Sequence, residues 1–121
     1  MPFVKMMNIQ QQKRKVMLKK LYSSHSGIAT LAINKRETSR YLLFDDDKMM
    51  KGWTNIKTGE VKPSTIDKNL FNYFAFSGIH IVDKNISKFL DAEFVDVFPI
   101  MDFYINLCQK EKIIGVDVTG N

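Results

Sequence analysis

Apolar and polar positions change period several times along the 121-residue chain. The longest stretch poor in charge is Asn72–Asp83, NYFAFSGIHIVD. Such a run predicts a strand buried on both faces inside an α/β sheet. Gly78, in its interior, weakens a strand unless a bulge or a closely approaching ligand needs the room, and the sequence leaves both open. Upstream, Ile28–Ile33 (IATLAI) predicts a short buried strand and Asn34–Ser39 (NKRETS) a charged connection. Tyr41–Phe44 and Met49–Trp53 predict a hairpin turning at Asp45-Asp46-Asp47. Lys57-Thr58-Gly59-Glu60 is a second turn, and Lys62–Lys68, with Pro63, a polar loop. After Asp83 the period lengthens. Ile86, Phe89 and Leu90 predict a short helix over Asn85–Leu90, and Phe94, Val97 and Phe98 cover a connection. Pro99 suits the first turn of a helix that Ile100, Phe103, Tyr104, Leu107 and Cys108 continue through Gln109. Ile113–Val118 (IIGVDV) returns as a strand. Asn8–Ser24 predicts a helix whose apolar positions, Ile9, Val16, Met17, Leu18 and Leu21, are irregularly spaced and form a poor apolar stripe. The order is helix, three strands, a long strand, two helices and a strand, which is mixed α/β.

Composition changes this picture little. The length suits one domain, and 45% hydrophobic with 26% charged residues is ordinary for a globular chain. No apolar run approaches the roughly 18 residues that cross a bilayer, and the start lacks the apolar core and cleavage site of a secretory signal. A single cysteine, Cys108, excludes an intrachain disulfide framework and suits a reducing compartment, so a cytoplasmic location is expected. Charge changes it more. Eight of the 18 Lys/Arg and none of the 13 Asp/Glu fall in residues 1–36. Residues 37–121 hold the other ten and all thirteen acids, so a basic arm precedes a mildly acidic remainder, and the expected division is a basic leader, 1–17, and a domain, 18–121. A basic helix suits phosphates or anionic membrane surfaces, although a solvated leader is the simpler account.

Candidate chemistry is sparse. Adjacent carboxylates at Asp45–Asp47 splay apart and nothing nearby completes a metal shell, so a solvated turn is expected. Two His and one Cys lie far apart in sequence and give no zinc signature. No nucleophile with a partnered base and no Gly-rich phosphate loop is visible.

Three segments, in order, resemble the second half of the sugar-1-phosphate nucleotidyltransferases, most closely the mannose-1-phosphate guanylyltransferase and N-acetylmuramate-1-phosphate uridylyltransferase branch. They are Ile28–Asn34 with ETSRYLLFDDD (Glu37–Asp47) and KGWTNIKTGE (Lys51–Glu60), then FAFSGIHIVD (Phe74–Asp83), then FPIMDFYINLCQKEKIIGVDV (Phe98–Val118). The resemblance spans about residues 18–118. It implies the C-terminal part of a Rossmann-like α/β/α sandwich with a mixed sheet. It also implies transfer of a nucleoside monophosphate from an NTP to a sugar 1-phosphate, with release of pyrophosphate. In that chemistry the sugar phosphate oxygen attacks the α-phosphorus in line, while Mg²⁺ and cationic groups stabilise the developing charge.

The part represented is the acceptor side. By this resemblance Trp53, Thr54 and Asn55 match the loop that contacts sugar hydroxyls, with Thr54 and Asn55 where related thymidylyltransferases carry a Glu-Lys pair. Ser77, Gly78 and His80 match the strand on which the sugar lies. Arg40 is a candidate phosphate contact or a surface ion-pair partner, and Asp102 serves a helix terminus. The family's Gly-x-Gly-[Ser/Thr]-Arg-Leu loop does not occur in the chain, its metal Asp has no counterpart in Met1–Val16, and Asp117 lies near but not at the second metal position. The expectation is therefore a truncated acceptor portion with no catalytic or metal residues of its own. Mg²⁺ belongs to the complete enzyme, and residues 1–17 arise from a shifted frame or aberrant start. Expected partners are a sugar 1-phosphate and an NTP, without nucleic acid or membrane, and with self-association through an exposed sheet edge. The alternative is a non-catalytic α/β module that binds nucleic acid or an acidic partner through its basic N-terminal helix.

Overall fold

A computed structural model describes residues 9–84 and 100–119. The expected helix over 85–90 and the connection at Phe94–Phe98 lie outside the described residues. Helix α1 spans Ile9–Ser24, and strands β1 (Ala29–Asn34), β2 (Arg40–Phe44), β3 (Met50–Asn55) and β4 (Glu60–Lys62) follow. A short 3-10 turn at Lys68–Leu70 leads into the long β5 (Asn72–Val82), and α2 (Ile100–Leu107) precedes β6 (Ile113–Asp117). The described strands form one mixed sheet in the order β4-β3-β2-β5-β1-β6, in which β1 and β6 pair in parallel and the other neighbours antiparallel.

Alternation along β1 assigns the two faces of the sheet. Leu31 and Ile33 point into an apolar cluster with Phe103, Tyr104 and Leu107 of α2, together with Leu42, Phe44 and Phe74. Ala32, between them, points the other way and joins Leu21 of α1, Val116 and Val118. A helix therefore covers each face. Helix α2 forms because Ile100, Phe103, Tyr104 and Leu107 recur at i, i+3, i+4 and i+7 and turn one stripe inward. Asp102, in its first turn, complements the helix dipole and lies 3.8 Å from Lys62.

Helix α1 is held differently. Leu21 is fully buried and Met17 packs beside it, while Val16, Leu18 and Tyr22 stay exposed. The helix runs unbroken across the expected division at residue 17, with Met17 and Leu21 on either side of it in the same cluster.

The long strand departs from expectation. Only Phe74 and Ala75 of β5 are buried, and from Gly78 onward exposed residues alternate with half-buried ones. The reason is a change of neighbours. Strand β2 pairs with Asn72–Phe74 alone, whereas β1 pairs with the stretch from Ala75 to Val82. The register also slips, since Ala32 alone stands opposite Ser77, Gly78 and Ile79. Gly78 has φ +83°, and a Cβ built there would meet nothing within 4 Å. Of the two uses open for this glycine, the bulge accounts for it by backbone conformation, a left-handed residue that glycine adopts without strain. Because the slip is two residues, the alternation resumes in phase: Phe76 and His80 share the α2 face, and Ile79 and Ile81 pack against the α1 cluster.

The hairpin of β2 and β3 forms as expected, and its turn is organised by Asp45, whose Oδ1 accepts from the amides of Asp47 and Met49 at 2.9 Å. Strand β4, where the sequence suggests the end of a turn and the start of a polar loop, pairs Glu60–Lys62 with Trp53–Asn55. Among the described residues no helix is long and apolar enough to cross a membrane.

Candidate functional site

Strand β5 continues past the C-terminal end of β1, and the hairpin of β2 and β3 is built onto that extension. Candidate residues line two of the clefts beside this step, one on each face. The first, about 220 Å³, lies on the α2 face and is lined by Arg36, Thr38, Arg40, Leu42, Trp53 and Phe76, among others. The second, about 350 Å³, lies on the α1 face between Met17, Asn34, Lys35, Arg36, Ser77 and Thr119. Arg36 and Phe76 border both, and Arg36 Nη2 donates to the Phe76 carbonyl at 3.4 Å.

The candidate residues divide between these clefts. Trp53 and Arg40 line the first. The Trp53 ring packs against the α2 cluster, and Lys62 Nζ sits 5.2 Å from its centroid, a cation–π contact. Arg40 is exposed and forms no ion pair among the described residues, so the surface-pair alternative for it is not seen. Thr54 faces away from Trp53. It is fully buried, and its hydroxyl donates to the Glu60 carbonyl at 2.8 Å. Asn55 Oδ1 accepts from the Lys57 amide at 3.0 Å and shapes the β3–β4 turn. The polar atoms of Thr54 and Asn55 are thus engaged in the hairpin itself. Ser77 borders the second cleft, where its Oγ accepts from Asn34 Nδ2 at 2.9 Å. Gly78 makes the bulge and borders neither.

His80 stands beside the first cleft, its ring edge-on to Phe76 at 5.9 Å. Its Nδ1 meets the hydroxyl of Tyr104, which is wholly buried on α2. Burial pushes the Tyr104 phenol up to about 12 and pushes His80 below its ordinary value. Both groups are accordingly neutral at pH 7. The hydrogen bond between them joins two neutral groups, each able to donate or accept.

Sequence reasoning did not find Arg36, Thr38, Phe76, Met101 or Tyr104. Arg36 and Thr38 fall in what reads as a charged connection, and their approach to Trp53 depends on strand order. Tyr104 carries a helical signal alone. As for metals, no grouping of three or more His, Cys, Asp and Glu able to hold an ion occurs among the described residues. Burial, the largest single influence on Asp117, raises its carboxyl, but hydrogen bonds from Thr119 and the charges of Lys35 and Lys48 together outweigh it and hold the group below its ordinary value. Compared with known proteins, the chain matches no family model, and no curated protein and no solved structure matches it significantly.

Proposed function

We propose that this chain is the acceptor-binding part of a sugar-1-phosphate nucleotidyltransferase, its layered sheet corresponding to the C-terminal portion of that family's Rossmann-like sandwich. One observation carries the reading. Arg36 and Arg40, exposed and outside any ion pair among the described residues, flank the rings of Trp53 and Phe76 in one cleft. A hexose 1-phosphate offers a dianion and a ring with an apolar face. Guanidinium forks suit the first and aromatic rings the second. At about 220 Å³ the cleft falls below the roughly 300–1,000 Å³ of sites for drug-sized ligands, which suits one monosaccharide. His80, exposed and edge-on to Phe76, adds a polar ring beside that cleft.

The reading assigns acceptor binding to this chain and nucleotide activation to a loop its sequence does not contain. Titration calorimetry with mannose 1-phosphate tests it. Saturable binding is expected, weakened roughly tenfold or more by Arg40→Ala, since a hydrogen bond to a charged group contributes about 1.5–3 kcal/mol. Absence of heat with any hexose 1-phosphate at millimolar concentration would overturn the assignment. Steady pyrophosphate release on adding GTP and Mg²⁺ would contradict the division of labour.

A further inference from the structure

Helix α1 presents an outward face that the sugar-phosphate reading does not use. Lys15, Leu18, Lys19 and Tyr22 fall at i, i+3, i+4 and i+7 and so form one stripe along the helix. The stripe is open, with Tyr22 78% and Leu18 45% exposed. Arg14, Lys15 and Lys19 form no ion pair among the described residues, and residues 1–36 contain no acid to neutralise them. The helix beneath is fixed in place by buried Leu21, by Met17, and by Lys20 Nζ, which donates to the Asp117 carbonyl at 2.9 Å. We infer that this stripe is a docking surface for single-stranded nucleic acid. Lysines spaced along one helix face track successive phosphates, and an exposed tyrosine among them offers a stacking surface for a base. A membrane interface fits less well, because it needs an apolar face segregated from the charges. Here the inward apolar side is already buried, and Leu18 and Tyr22 interleave with lysines. An acidic protein would satisfy the charges but gives the exposed ring no particular partner. The inference stands independently of the sugar-phosphate reading.

Fluorescence anisotropy of the full chain with a labelled oligothymidylate tests it, with circular dichroism to show that each variant stays folded. Binding should weaken as salt rises, with a log–log slope of about −2, as expected for about three phosphates neutralised on a single strand. Lys15→Glu with Lys19→Glu should abolish it. Tyr22→Ala should weaken it roughly tenfold while leaving the salt slope unchanged, the signature of lost stacking rather than lost charge. The inference is overturned if the wild-type chain does not bind at low salt, or if the double charge reversal binds as well as wild type. Equal or tighter binding to polyglutamate or to phosphatidylserine vesicles would overturn it too, in favour of an acidic protein or a membrane surface.

Discussion

Gly78 shows how one residue can mislead and inform together. Its position in an apolar strand signals that room or conformation is needed, yet only the slipped pairing of β5 against β1 tells which. With open space around it and φ +83°, Gly78→Ala meets no clash and bears only the left-handed penalty, a loss of about 1–2 kcal/mol in chemical denaturation. Gly78→Asn should recover part of that loss, because asparagine tolerates this conformation. Gly52 is the converse case. A Cβ there would overlap the Lys62 carbonyl oxygen and come within 2.6 Å of Ile66 Cδ1, so Gly52→Ala should cost more than Gly78→Ala and loosen β4. The His80–Tyr104 pair makes a pH prediction. In the unfolded chain the imidazole titrates near 6.5, and in the fold burial lowers it, so the unfolded state takes up the proton first. Stability is then full above about pH 6.5 and declines as pH falls below it. Melting temperatures measured from pH 8 to 5 should show that decline in the wild type and a flatter profile in His80→Gln. Tyr104→Phe should cost about 1 kcal/mol from the lost hydrogen bond.

Elements with a strong period were legible, and those defined by pairing were not. The spacing of Ile100, Phe103, Tyr104 and Leu107 predicts α2 outright, and the short uncharged run Ile28–Ile33 predicts β1 as a buried strand. Strand β4, three residues long, has no period to read and exists because Trp53–Asn55 lies beside it. The assumption that β5 is buried on both faces failed because hydrophobicity reports the whole strand, whereas β2 pairs with its first three residues only. Helix α1 looks unpatterned because two residues, Met17 and Leu21, do most of its anchoring. Leu21→Ala should therefore cost about 2–5 kcal/mol and release the helix, detectable as lost helicity and faster amide exchange. Leu18→Ala, on the exposed side, should change stability by less than about 0.5 kcal/mol.

At the scale of the whole molecule, the mixed α/β class and the hairpin could be read from the chain, while the clefts could not. Trp53 and Arg40 are separated from Arg36 and Phe76 by strand order, β3-β2-β5, which no local pattern encodes. Alternation along β5 sends Ser77 to the opposite face from Phe76, which lines the cleft with Trp53, while Thr54 and Asn55 stabilise the hairpin that carries the indole. Charge is segregated as well, with an acid-free N-terminal third on a domain that holds every carboxylate. The proposed role requires the cleft lined by Arg36, Arg40 and Trp53 to hold a phosphorylated hexose. Trp53 is the sole tryptophan, so its emission reports that cleft without a label. Titration with mannose 1-phosphate should give a saturable fluorescence change that mannose or inorganic phosphate alone reproduces only at much higher concentration, and that Arg36→Ala with Arg40→Ala removes. Unchanged emission, or a change that survives loss of both arginines, would contradict the account.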